Sequence, residues 1–273
     1  MTYKRMREIQ IMADEFRQYC KVIKYGIVDI FDECERCGFK LVRYPIGEDG
    51  VLGFVQNRDD DKIIFSNSSV RLSREIFTIA HEIGHLCLHM KMRESYLEDV
   101  HTLKDYTEES EEVEANYFAA CLLMPEDKVH KYISLEMATE WEKQWTAFDI
   151  SKMMTSFNVS FDMILNRLQN LEIIDEKTKS RLDNEKNLKK VSNLLRMTGG
   201  DVRINVSSNV KRIPGEYIEW VIYNYNHNVI PQKTLEKALG YFDIRIEDIS
   251  DKLRIAEEIE EDDLEALIGG IGE

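Results

Sequence analysis

The stretch SREIFTIAHEIGHLCLHM, residues 73–90, carries His81, His85 and His89 at intervals of four, with Glu82 directly after the first. On an α-helix, positions i and i+4 lie nearly above one another, so His81 and His85 project their imidazoles from one face about one turn apart. That spacing lets both rings reach one ion at ~2.0–2.1 Å. Glu82 sits one residue round, where a carboxylate can take a proton from water activated by the ion. HEIGH is thus the zinc-hydrolase pattern in which two histidines bind and the glutamate is the general base. The flanking IFTIA and LCL put the pair amid an apolar helix near the core, and buried imidazoles need partners that a metal can supply.

A catalytic zinc takes three protein ligands and leaves a fourth position to water. A third histidine at the HExxHxxGxxH spacing would fall on Lys91, which excludes that arrangement. Successive i+4 steps drift round the helix by about 40° each, so His89 points past a site centred on the first pair. It is expected to support the site rather than to bind. The next helical run, TEESEEVEANYFAACLLMP, offers Glu108, Glu109, Glu111, Glu112 and Glu114, and acids suit a helix start. Glu112 stands out because Asn116 lies one turn on along the same face, where its amide could hold a ligating histidine or the carboxylate. Spacing alone leaves Glu111 and Glu114 in contention. Ala115, Ala119 and Ala120 would let this helix approach the histidine helix closely.

Other elements must hold these two helices. Residues 2–20 and the run GIVDIFDECERCG carry apolar residues at helical spacing, so two helices are expected to open the fold. FKLVRYP, VLGFVQ and KIIFS are short runs rich in β-branched and aromatic residues, separated by turn-forming IGEDG and NRDDD, and they predict three antiparallel strands. The edge of KIIFS is expected to receive an extended substrate. Residues 147–173 predict two helices around FNVS, a spacing reminiscent of a helix-turn-helix but better read as a helical pair closing the core. The fold class expected is α+β: a mostly helical domain over 1–175 with a small three-stranded antiparallel sheet, a polar linker over 176–200, and a smaller α/β module over 201–273. In that module DVRINVSSNVKRI is strand-like, two helices turn near Pro231, and an acidic tail follows.

The bulk numbers bound the function. The chain has 273 residues, a formal net charge of −15, 43% hydrophobic and 32% charged residues. Its whole-molecule field repels phosphate backbones and anionic lipid, which argues against direct nucleic-acid or membrane binding. Five cysteines, an odd count, do not read as a disulfide framework, and no apolar run reaches the length of a membrane span. A cytoplasmic location is expected. Cys34 and Cys37 form CERC without a second such pair and read as packed or surface thiols. His227 reads as part of a turn.

FTIAHEIGHLCLH followed by EVEANYFAACLLMP, and preceded by a strand ending IIFSN, resembles the ImmA/IrrE family of zincin-fold metallopeptidases over about residues 20–172. The resemblance implies zinc held by His81, His85 and Glu112, with Glu82 as catalytic base. Asn116 and His89 are then expected to support the ligands from behind. It also implies an intracellular protease acting on a separately encoded regulator, often a helix-turn-helix repressor. An oxyanion-stabilising donor is sought among Tyr96, His101 and Tyr106, between the two site helices. Two other classes compete. A zincin-fold module could bind or sense a regulator with little turnover, and the helical pairs could bind DNA. The intact Glu82 argues against the first, and the net charge against the second.

Overall fold

A computed structural model describes residues 1–58, 61–89, 107–137 and 144–254, without the side chains of residues 58 and 107–109. Tyr96, His101, Tyr106, the side chains of Glu108 and Glu109, and the acidic tail lie outside the described residues. The chain divides into two units, Met1–Ile213 and Pro214–Glu273.

The first unit opens with helices α1 (Tyr3–Gln18) and α2 (Ile30–Arg36), started by the side-chain caps Thr2 and Asp29. Strands β1 (Lys40–Tyr44), β2 (Gly53–Arg58) and β3 (Asp61–Asn67) follow. Their order is β1-β3-β2, with β1 parallel and β2 antiparallel to β3. This mixed sheet corrects the expectation of three antiparallel strands. A meander would put the polar β2, GFVQNR, in the centre, whereas the observed order gives that place to the apolar KIIF of β3. The strand expected to be a substrate edge is therefore the one without a free edge.

Residues 206–212 run along residues 68–72 and meet the outer edge of β1 at Arg43. Arg43 and Arg212 exchange backbone hydrogen bonds at 2.9 Å, and Asn209 N–H donates to Ser68 O at 2.9 Å. The alternating pattern read as a strand in 201–213 thus becomes a 3₁₀ turn, Val202–Asn205, and two isolated bridges. The edge of β2 away from β3 remains the open one among the described strands.

Helices α3 (Leu72–Leu88) and α4 (Thr107–Leu123) carry the residues singled out above. Glu75, in the first turn of α3, is fully buried and takes two hydrogen bonds of 2.8 Å from Arg43 on β1 and one of 2.9 Å from Ser66 on β3, which ties helix to sheet. The last carbonyls of α4 have no partner inside the helix. Buried Arg17 and Arg167 donate to Leu122 O at 2.6 Å and, just beyond the helix end, to Met124 O at 2.9 Å.

Helices α5 (Glu126–Glu136), α6 (Ala147–Phe157) and α7 (Phe161–Asn170) complete the core. Ile150, Met154, Phe157, Ile164 and Leu168 of α6 and α7 are buried in it, which is the packing of a core pair rather than of an exposed recognition helix. The stretch expected as a linker forms α8 (Glu176–Lys189) and α9 (Val191–Met197), whose Leu182, Leu194 and Leu195 are fully buried in the same core. The second unit comprises α10 (Gly215–Asn226), α11 (Gln232–Gly240) and a 3₁₀ segment, Ile246–Lys252, around Ile222, Leu235, Leu239 and Ile249. It contains no strand among its described residues, so the expected α/β module is helical there.

Candidate metal centre

Helix α3 buries Ile76, Ile79, Ala80, Ile83 and Leu86 and turns His81, His85 and His89 to a neighbouring, partly exposed face. Helix α4 crosses it closely. A Cβ on Gly84 would lie 3.2 Å from both Cα and O of Ala115, so the two backbones pass close together and a larger residue at 84 would press them apart by a few tenths of an ångström. Ala115 and Ala119 are fully buried at this crossing. The contact fixes the rotation of α4, which brings Glu112 to His81 and His85 and Glu114 to His89.

The ligand-type atoms of His81, His85 and Glu112 lie within 4.8 Å of one another. His81 Nε2 stands 3.2 Å from Glu112 Oε2, His85 Nε2 stands 3.2 Å from Glu112 Oε1, and the two Nε2 atoms are 3.0 Å apart. The remaining ring nitrogens face other groups. His81 Nδ1 is 3.1 Å from Asn116 Oδ1, His85 Nδ1 is 3.1 Å from His89 Nδ1, and His89 Nε2 is 3.2 Å from Glu114 Oε2.

The protons can be placed from the outside inwards. A carboxylate only accepts, so His89 Nε2 carries a proton and donates it to Glu114. With its proton on Nε2, His89 presents Nδ1 as an acceptor to which His85 Nδ1 can donate. His81 Nδ1 likewise donates to the Asn116 carbonyl. Both Nε2 atoms are left with lone pairs, and these converge with a carboxylate. Burial lowers the pKa of His81, and burial followed by the proximity of His81 pushes that of His85 down to about 4, which keeps both rings neutral at pH 7. Two imidazole nitrogens and one carboxylate oxygen, unprotonated and about a tetrahedral edge apart, form a donor set that fits zinc.

Glu82 points to the sheet side of the same face and is 7% exposed. Its pKa is raised to about 7, first by burial and then by the nearby charge of Glu112. Opposite it lies Gly53 at the start of β2. A Cβ there would collide with Thr78 Cγ2 and stand 2.9 Å from Phe65 O and 3.3 Å from Glu82 Oε1. One open cleft is lined by β2 residues 53–57, by His81, Glu82 and His85, and by Glu112 and Asn116.

The structure thus brings together all six residues named from the sequence: Glu82, His81, His85, Glu112, Asn116 and His89. Glu111 also lines the cleft, while Glu114 turns away to His89 and to Arg5. Sequence reasoning did not find Arg5 or Gly53. Arg5 lies 109 positions before its partner and no local pattern links them, whereas the glycine opening GFVQ was a visible signal of close backbone approach. Among the described residues no helix is long and apolar enough to cross a membrane.

Residues 34–169 match a peptidase family model described as the IrrE N-terminal-like domain. The chain is also 31% identical over 90 residues to "Uncharacterized immunity region protein 2" of Bacillus phage phi105, covering 33% of this chain and 55% of that protein. It therefore spans about half the length of the curated relative it matches.

Proposed function

We propose, from the premise that residues 34–169 are an IrrE N-terminal-like peptidase domain, that the chain is a zinc-dependent endopeptidase that cuts one bond in a regulatory protein. The observation that carries this reading is the convergence of His81 Nε2, His85 Nε2 and a Glu112 carboxylate beside the buried Glu82. His81, His85 and Glu112 would hold the ion, with Asn116 and His89 orienting the two rings. Bound zinc supplies a Lewis acid that polarises a carbonyl and makes water a nucleophile near neutral pH.

The chain supplies the remainder. Glu82 accepts the proton of the attacking water and returns it to the departing amine nitrogen, and a carboxyl whose pKa lies near 7 can do both at neutral pH. The open edge of β2 accepts the extended backbone of the substrate, with Gly53 allowing strand and peptide to run close to Glu82. A helix-turn-helix repressor is the proposed substrate class, and the immunity-region name of the phage relative supports a regulatory target. None of the described cysteines is joined in a disulfide, which suits a reducing cytoplasm.

The test is co-expression with helix-turn-helix repressors of the same genome, wild type beside Glu82→Gln. A repressor shortened by the wild type alone, with equal zinc in both proteins, supports the reading. A repressor that both proteins bind and neither cuts would replace it with a regulator-binding module.

A further inference from the structure

Arg5 stands on α1, outside the residues that match the family model, yet its guanidinium grips Glu114 in a two-pronged contact, Nε to Oε1 at 2.9 Å and Nη2 to Oε2 at 2.6 Å. The same Oε2 stands 3.2 Å from His89 Nε2, and His89 Nδ1 stands 3.1 Å from His85 Nδ1, each pair within hydrogen-bond distance. Four residues from three parts of the chain therefore form one line of hydrogen bonds that ends on an imidazole facing the metal centre.

We infer that Arg5 and Glu114 are positioning residues of that centre, acting through His89 to fix the ring plane and tautomer of His85. The inference rests on the metal-site reading above. A neutral imidazole that offers its lone pair at Nε2 carries its proton on Nδ1, and an acceptor facing Nδ1 favours that tautomer and fixes the ring plane. His89 is such an acceptor as long as its own proton sits on Nε2, which requires a fixed carboxylate. Glu114 is fixed because a planar guanidinium holds both of its oxygens, a geometry that a lysine cannot reproduce. The same grip turns Glu114, two positions after Glu112, away from the ion. The N-terminal helix is thereby part of the metal site and not only packing against α4.

The test measures the zinc dissociation constant of the full-length protein by competition with a chelator, together with the visible spectrum of the cobalt-substituted form. Arg5→Ala and Glu114→Gln are expected to weaken zinc binding about 10- to 100-fold and to alter the cobalt spectrum. Arg5→Lys recovers part of the loss, and the Arg5→Ala, Glu114→Gln double variant is no weaker than Glu114→Gln alone, because both act through one line. Glu114→Gln preserves shape, so it carries the test if Arg5→Ala does not fold. Altered melting of the metal-free variants with unchanged affinity and spectrum would overturn the inference and leave a structural clamp. A wild-type protein whose zinc is lost in His85→Ala but kept at full affinity in Arg5→Ala and Glu114→Gln overturns it alone. A wild type that binds no zinc overturns the metal-site reading and the inference with it.

Discussion

His81 Nε2 and His85 Nε2 stand 3.0 Å apart, and the other nitrogen of each ring faces a hydrogen-bond partner, Asn116 Oδ1 for His81 and His89 Nδ1 for His85, an arrangement that leaves both Nε2 lone pairs free. Two lone pairs and a carboxylate facing one point repel one another, and a cation at that point converts the repulsion into attraction. Zinc should therefore stabilise the folded chain strongly. A ligand that binds only the native state adds about 2.7 kcal/mol at a concentration 100 times its dissociation constant. We expect one zinc per chain and a chelator-reversible rise in melting temperature, both lost in His85→Ala and Glu112→Ala, as read by elemental analysis and calorimetry. Melting that ignores zinc would sink this expectation.

Gly53→Ala should damage turnover more than metal binding. The added methyl meets Thr78 and the Phe65 carbonyl and crowds Glu82, and none of its three nearest atoms belongs to a ligand. Overpacking of this kind costs about 1–3 kcal/mol of stability. Urea denaturation, zinc content and substrate cleavage separate the effects. Unchanged cleavage would mean that β2 can retreat without disturbing Glu82.

Val55→Pro tests the open edge. Asn67 N–H donates to Leu52 O at 2.8 Å, so alternation along the antiparallel pair turns the backbone polar groups of Gly53, Val55 and Asn57 away from β3. Proline at 55 removes one outward donor and spares the ladder to β3. One hydrogen bond contributes about 0.5–1.5 kcal/mol, so KM for the substrate should rise by a few-fold to about tenfold at unchanged zinc content. An unaltered KM would place the substrate elsewhere in the cleft.

Glu75→Ala should be among the most destabilising single changes in the first unit. It strands the buried Arg43 guanidinium, which otherwise pairs with Glu75 and lies 3.6 Å from the centre of the Phe31 ring. Breaking a buried pair from one side costs about 3–5 kcal/mol. Chemical denaturation measures it, and a loss under about 1 kcal/mol would show that water or Ser208 compensates.

The legible part of the site was the part set by local geometry. His81 and His85 share a face because any helix puts i and i+4 together, and the same rule linked Glu112 to Asn116. Which of Glu111, Glu112 and Glu114 faces His81 and His85 depends on how far α4 is rotated against α3, and that is settled by the contact of Gly84 with Ala115, 31 positions apart in sequence. Sheet order was illegible for a similar reason. Turn signals predict neighbours along the chain, but burial selects β3 for the centre and sends β1 to its far side. Residues 176–200 looked polar on average, yet three leucines were enough to seat two helices in the core. The strand-like 201–213 forms no strand: its first part closes into a 3₁₀ turn, and the rest meets Arg71 and Arg43 in single bridges that no local pattern announces.

Residues 206–212 decide where this protein can be shortened. A cut near residue 200, where a domain boundary was expected, removes the backbone partners of Arg43 and Ser68 and the Ser208 hydroxyl, 3.1 Å from Arg43 Nη2. It leaves the edge of β1 bare at Arg43, and a bare edge is a template for aggregation. Loss of activity in such a fragment would report on the damaged sheet and say nothing of the C-terminal helices. A stop codon after Ile213 keeps this segment whole and makes the role of the second unit a question that truncation can answer.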